Sequence, residues 1–257
     1  MKDIEIVIPI GISTPETPII EFLEFGLRQL KIQSLPVKIT CAIDENIQPD
    51  RLRIINMYAD KIKIFPKDSY FRPGGIWKKI WQCWEESDST FINWQGYDDA
   101  SSPNKFNLQY KKIIETKSNS CFSSNYLMKD NKIITVNNGN INFINYIGTH
   151  PMFMGSFLIR KNAILNSGIA QYINKASYYF EGLLFAFIMK TGIPCIETNA
   201  KFYYREHSST ISSTCREKEK YVQQAIKNVG YTFQQCKQDW DSINFNSICE
   251  EIKKKYL

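Results

Sequence analysis

The chain has 257 residues, 43% hydrophobic and 23% charged, the balance of a globular protein large enough to close one sizeable core. No apolar run approaches the roughly 20 residues that span a bilayer, and Met1-Lys2-Asp3-Ile4 leads into an apolar segment without a small-residue cleavage site, so a cytoplasmic chain beginning at Met1 is expected. The 32 basic and 26 acidic residues leave a formal charge of +6, which suits an anionic partner or simply a lysine-rich surface; the basic residues are dispersed, with no aromatic-interleaved stripe, which argues against nucleic acid.

Ile4 to Gly11 is a nearly continuous β-branched run ended by Pro9 and Gly11, as expected of a strand buried in a parallel sheet. Ile19, Leu23, Leu27 and Leu30 recur at helical spacing up to about Gln33, and Leu35-Pro36 breaks the helix. Val37 to Ile43 alternates as a second strand and runs out at Asp44-Glu45-Asn46. Pro49 to Ala59 reads as a helix and Lys61 to Phe65 as a third strand. A loop carrying Arg72-Pro73-Gly74-Gly75 then precedes a helix that stacks Ile76, Ile80 and Trp84 on one face. Thr90 to Trp94 is a fourth strand, ending in Gln95-Gly96-Tyr97-Asp98-Asp99, with a helix after Pro103 to about Thr116.

The second half is less regular. Strands are expected at Ser120 to Tyr126, within Ile133 to Ile147 as a hairpin, and at Ile196 to Tyr204; a helix is expected at Tyr179 to Thr191. The alternation predicts an α/β fold with a mixed, mostly parallel sheet flanked by helices. Residues 1–214 are expected to form the main domain, and 215–257, charged and helical in pattern, a C-terminal helical extension.

Ligands of an open parallel sheet bind beyond the carboxyl ends of its strands, which selects Pro9 to Gly11, Asp44-Glu45 and Asp98-Asp99. Two adjacent carboxylates gain from a nearby cation, and Mg²⁺ or Mn²⁺ takes one or two of them and completes its shell with phosphate oxygens and water. The plainer reading is an Asp-rich turn capping the next helix. The seven cysteines are scattered without a C-x-x-C pair, and His150 and His207 are too few for a multi-histidine centre, so any metal is expected on carboxylates.

Ile4 to Gly11, Ala42-Ile43-Asp44, Phe91 to Asp99 and Tyr203-Tyr204-Arg205-Glu206-His207-Ser208-Ser209, in that order, resemble the family 2 inverting glycosyltransferases of GT-A fold. The resemblance spans about Lys2 to Ser213. It implies that Pro9 and Ile10 lie under a nucleotide base, usually uracil, and that Asp44 accepts a hydrogen bond from it. By the same resemblance Arg72 reaches the nucleotide as a cationic donor, Asp98 and Asp99 hold Mn²⁺ or Mg²⁺ and the ribose, and His207 sits near the metal or diphosphate. The implied activity is transfer of a sugar from a nucleoside diphosphate sugar, a UDP-sugar, to a saccharide or lipid-linked acceptor with inversion, in polysaccharide or glycan synthesis.

Two departures stand out. The family's usual Asp-x-Asp reads Gly96-Tyr97-Asp98 here, and its Glu-Asp ahead of a Leu-rich helix reads Glu181-Gly182, losing the acid that commonly serves as base. Glu181 is then the candidate base, or else a first-turn acid that favours the helix dipole. Asp98, Asp99, Arg72, Arg205 and His207 suit the charge of a departing diphosphate; His207 also reads as a surface histidine in a Ser-rich loop. Trp77, Trp81, Trp84 and Trp94 read as core or as a sugar-stacking platform, and the loop Thr149 to Ser156 as a border of the acceptor pocket. Competing readings are a nucleotidyltransferase, for which Gly11 to Pro15 offers no phosphate cradle, and a non-catalytic carbohydrate- or nucleotide-binding protein. The basic C-terminus, with three lysines beside two glutamates, predicts peripheral membrane association at most.

Overall fold

The computed structural model describes residues 3–11, 18–67, 69, 72–129, 132–137, 141–149, 153–176, 179–206, 227 and 229–257. Among them one nine-stranded sheet carries the strands β1 (Ile4–Ile10), β2 (Lys38–Asp44), β3 (Lys61–Phe65), β4 (Phe91–Trp94), β5 (Ala100–Ser101), β6 (Ser120–Lys129), β7 (Lys132–Asn137), β8 (Phe157–Arg160) and β9 (Cys195–Arg205). Their order is β3-β2-β1-β4-β8-β6-β9-β5, with β7 paired to β6 as a hairpin. The strands β1, β2, β3, β4, β6 and β9 run one way, and β5, β7 and β8 the other. This is the mostly parallel α/β sheet expected from the sequence.

The helices are α1 (Ile20–Lys31), α2 (Pro49–Tyr58), α3 (Gly75–Glu85), α4 (Lys105–Thr116), α5 (Lys161–Leu165), α6 (Phe180–Thr191), α7 (Phe233–Asp241) and α8 (Phe245–Lys254). Every residue of β1 is buried, and its side chains alternate between two cores. Ile4, Ile6, Ile8 and Ile10 meet α1, α2 and α4 on one face, while Val7 meets α3 and α6 on the other. Glu5 is the exception in this apolar strand, and its carboxylate is satisfied: Thr40 and Ser87 donate to it at 2.5 and 2.6 Å, and Lys38 Nζ lies 3.5 Å away.

Two strands escape the sequence pattern. β5 is only two residues long, and the four residues of β8 insert antiparallel between β4 and β6. α6 is buried from Gly182 to Met189, an apolar helix sandwiched between the sheet and the C-terminal helices. Ile243, Cys249 and Ile252 of that C-terminal segment join the same hydrophobic cluster as α6. No helix among the described residues is long and apolar enough to cross a membrane.

Candidate active site

β1 sits between β2 and β4, and the three strand ends converge. At the end of β2 Asp44 is fully buried, and its Oδ1 lies 2.7 Å from Nζ of Lys79 on α3. Ser69 donates to the same oxygen, and Lys79 also donates to the Ile10 carbonyl at 3.0 Å. Burial holds the Lys79 ammonium below its ordinary value, against the pull of the Asp44 carboxylate. The other oxygen, Asp44 Oδ2, is buried without a hydrogen-bond partner among the described residues. A buried carboxylate oxygen without a donor costs free energy, and a ligand N–H or O–H placed there would recover it. Lys79 itself carries no signal in the sequence, because a lysine in a helix reads as solvated.

Pro9 and Ile10 close β1; Ile10 sends its side chain into the core and its carbonyl to Lys79. Arg72 lies in the loop before α3, exposed, with Nε 3.4 Å from the Lys67 carbonyl.

At the end of β4 the chain turns through Gln95 to Asp99, and the two acids face different surroundings. Asp98 is half-buried. Asp99 is 4% exposed and accepts from the Gly96 and Arg205 backbone N–H groups, each at 3.1 Å. Burial, then the charge of Asp98, pushes the Asp99 carboxyl well above the usual carboxylate range. Asp99 thereby ties the β4 turn to β9. Arg205 completes the tie: its Nε donates to the Asp98 carbonyl at 3.0 Å, and its guanidinium lies 4.5 Å from the ring of Phe22 and 5.3 Å from that of Phe25.

Space explains the missing first acid of the motif. A Cβ on Gly96 would sit 2.7 Å from Asp99 Oδ2 and 2.8 Å from Asp98 Oδ1, so the two carboxylates occupy the volume that a side chain there would need. Gly26 of α1 has a similar role, since a Cβ on it would meet the Tyr97 carbonyl at 2.2 Å.

For a divalent ion the described residues supply few ligands: no three His, Cys, Asp or Glu side chains gather, and His207 lies outside the described residues. Half-buried Asp98 fits an ion that takes a single protein carboxylate and draws its other ligands from phosphate and water. Asp99 fits a second, supporting place, with both oxygens already accepting from backbone amides.

Glu181 opens α6, half-buried, and burial raises its carboxyl above the ordinary value. On β9 the hydroxyl of Tyr204 is pushed up by burial and then by the charges of Asp99, Asp98, Glu206 and Glu181. Its ring stacks on Phe153 at 4.6 Å. Trp77 packs edge-on against Trp94 at 5.0 Å and stacks on Phe180 at 4.6 Å, joining the end of β4 to the start of α6. Trp77, Trp81 and Trp84 are buried core residues; Trp94 is half-buried, with its indole Nε1 unpartnered among the described residues.

Gly182 has the same kind of cause as Gly96. A Cβ on it would lie 2.2 Å from the ring of Tyr179, and that ring in turn packs edge-on against Trp240 at 5.7 Å and Phe245 at 6.2 Å. The volume of an acidic side chain at position 182 is filled by an aromatic anchor for the C-terminal helices.

No protein-family model matches the chain, and no curated protein matches it by sequence. Solved structures do. S. aureus TarS aligns over 93% of this chain and 42% of its own length, with a TM-score of 0.58 at 13% identity. TarS residues 1–349 in complex with UDP and with UDP-GlcNAc align over 93% of this chain and 70% of theirs, with TM-scores of 0.57 and 0.60 at 13% and 12% identity. The chain shares the α/β fold of these structures and spans less than half of the longer TarS chain.

Proposed function

We propose that the chain is a glycosyltransferase of GT-A fold that uses a nucleoside diphosphate sugar, a UDP-sugar, as donor. One juxtaposition carries this reading. The ends of β2 and β4 flank the end of β1 with Asp44, whose Oδ2 meets no donor among the described residues, and half-buried Asp98, in a fold shared with structures solved with UDP and UDP-GlcNAc. In this reading Asp44 takes a hydrogen bond from the base, beside Pro9 and Ile10, while Arg72 and Arg205 face the phosphates or brace the turn that does. Asp98, with Asp99 and His207 as the further candidates, holds Mn²⁺ or Mg²⁺, whose charge offsets that of the departing diphosphate.

Glu181 is the base. Its carboxylate takes the proton of an acceptor hydroxyl as that oxygen attacks the anomeric carbon and the bond to the diphosphate oxygen breaks, giving inversion. The acceptor is a saccharide or lipid-linked glycan, in surface polysaccharide or glycan synthesis, at the cytoplasmic side. The test is release of UDP from a panel of UDP-sugars with Mn²⁺ and saccharide acceptors: turnover is expected in the native chain and not in Asp98→Ala. Equal turnover in that variant refutes the role of the turn. The place of Gly182, filled by Tyr179, favours one other reading, a nucleotide-sugar-binding protein without transfer; binding of the donor with no product from any acceptor selects it.

A further inference from the structure

Cys121 of β6 and Cys195 of β9 are register partners on two neighbouring parallel strands. Adjacent strands stand about 4.7–4.9 Å apart, and a disulfide joins residues whose Cα atoms lie about 4.4–6.8 Å apart, so the pair is within bridging reach. Register partners project to the same face of a sheet. Here that face is the core under α1, α2 and α4, in which Cys121 is buried and against which Cys195 packs. The two thiols hydrogen-bond with each other. The segments that carry them are already tied: Ser118 Oγ donates to the Ile193 carbonyl at 3.4 Å, Asn119 Nδ2 to the Thr191 carbonyl at 2.7 Å, and Cys195 Sγ to the Ser120 carbonyl at 3.4 Å. Joining the sulfurs therefore asks for little backbone movement.

The two cysteines differ in access and in acidity. Cys121 is fully buried, whereas Cys195 is half-buried, close to exposed Ile193. The hydrogen bond with Cys121 outweighs burial and, with those of Thr116 and Ser118, holds the Cys195 thiol below its ordinary value. Burial instead pushes up the thiols of Cys121, Cys41, Cys83 and Cys249. The thiolate is the form that an oxidant meets, so Cys195 is the first of these to react. The pair stands where β6 and β9 begin, while the acidic turn lies at the other end of β9, where the Arg205 N–H meets Asp99. Oxidation at this pair is thus separate from the strand-end donor site.

We propose that Cys121 and Cys195 form an oxidation site at which a peroxide converts the dithiol into a disulfide that staples β9 to β6. The Cys195 thiolate attacks one peroxide oxygen and the O–O bond breaks. Cys195 becomes a sulfenic acid, and the departing hydroxide takes up a proton to leave as water. The Cys121 sulfur then attacks the Cys195 sulfur, the S–O bond breaks, and the hydroxyl departs with the Cys121 proton as a second water. Both thiols are oxidised and the peroxide is fully reduced. The bridge closes residues 121–195, which include α6, into one loop, and a thiol reductant reopens it.

The experiment treats the reduced full chain with hydrogen peroxide, then alkylates it and maps its peptides by mass spectrometry. A linked Cys121–Cys195 peptide pair is expected, released by dithiothreitol. Cys195 is expected to react at least about tenfold faster than Cys41, Cys83 or Cys249. The oxidised chain should melt at a higher temperature, because the bridge restricts the unfolded chain. In Cys121→Ala the sulfenic acid on Cys195 loses the sulfur that resolves it and should be trapped by dimedone. Mapping of the native chain needs no variant, so the test stands even if Cys121→Ala fails to fold. Oxidation that leaves Cys121 and Cys195 open to alkylation, that links Cys195 to a different cysteine, or that fails to raise the melting temperature overturns the proposal.

Discussion

Glu181 is held in the form that a proton-abstracting group must leave. Its folded-state value is raised by burial, so the ionised carboxylate is disfavoured in the folded chain relative to the unfolded one. The stabilising share of this group is therefore complete below the unfolded value and lost as pH rises through the folded one. Glu181→Gln is accordingly expected to abolish transfer while leaving the melting temperature at pH 7 unchanged or higher. In the native chain the acid limb of the transfer rate should fall at a pH above that of an ordinary glutamate, read from a pH–rate profile. A limb at or below the ordinary value would remove Glu181 as base. Lys79 behaves in the opposite sense. It is 1% exposed against a fully buried Asp44, and Lys79→Ala strands that carboxylate. A loss of about 3–5 kcal/mol in urea unfolding is expected, and a loss under about 1 kcal/mol would show that the pair is not buried as described.

At the scale of elements, two glycines set how closely segments approach. Gly96 lets both carboxylates of the acidic turn fold over the backbone, and Gly182 lets Tyr179 lie on the first turn of α6. Both stand where the resembling family carries an acid, and in each place the volume has been taken by another side chain. Restoring the acid by Gly182→Asp is thus expected to destabilise the chain by about 1–3 kcal/mol in chemical denaturation, the usual cost of overpacking. The double variant Tyr179→Ala/Gly182→Asp should lose less than the sum of its single changes, since the ring and the new side chain compete for one volume. Strict additivity would mean that they do not meet.

Across the whole molecule, the half of the sheet nearest the N-terminus was readable because each of its crossovers is local. β1 to β4 alternate with helices, and their β-branched runs and breaking residues fall within a residue or two of the observed ends. Legibility fell where pairing is distant. β8 pairs with β4 and β6 over long separations, and its four residues offer too short a pattern to register. Position at strand ends singles out Asp44, Asp98 and Asp99, and the family resemblance singles out Glu181. What fills the space around them has no such signal. Lys79 and Lys105 are fully buried lysines in helices that read as amphipathic, and Tyr179 explains Gly182 through a contact that spacing does not encode. Tyr204, whose hydroxyl is pushed up by burial and by the charges of the acidic turn and Glu181, reads in the sequence as one aromatic residue in a strand.

The proposed activity requires the strand-end site to be a nucleoside diphosphate site, and calorimetry of UDP with Mn²⁺ measures that most directly. The native chain is expected to bind UDP, with affinity at least about tenfold weaker in Asp98→Ala and in Asp44→Ala. No binding by the native chain, or equal binding by both variants, would contradict it.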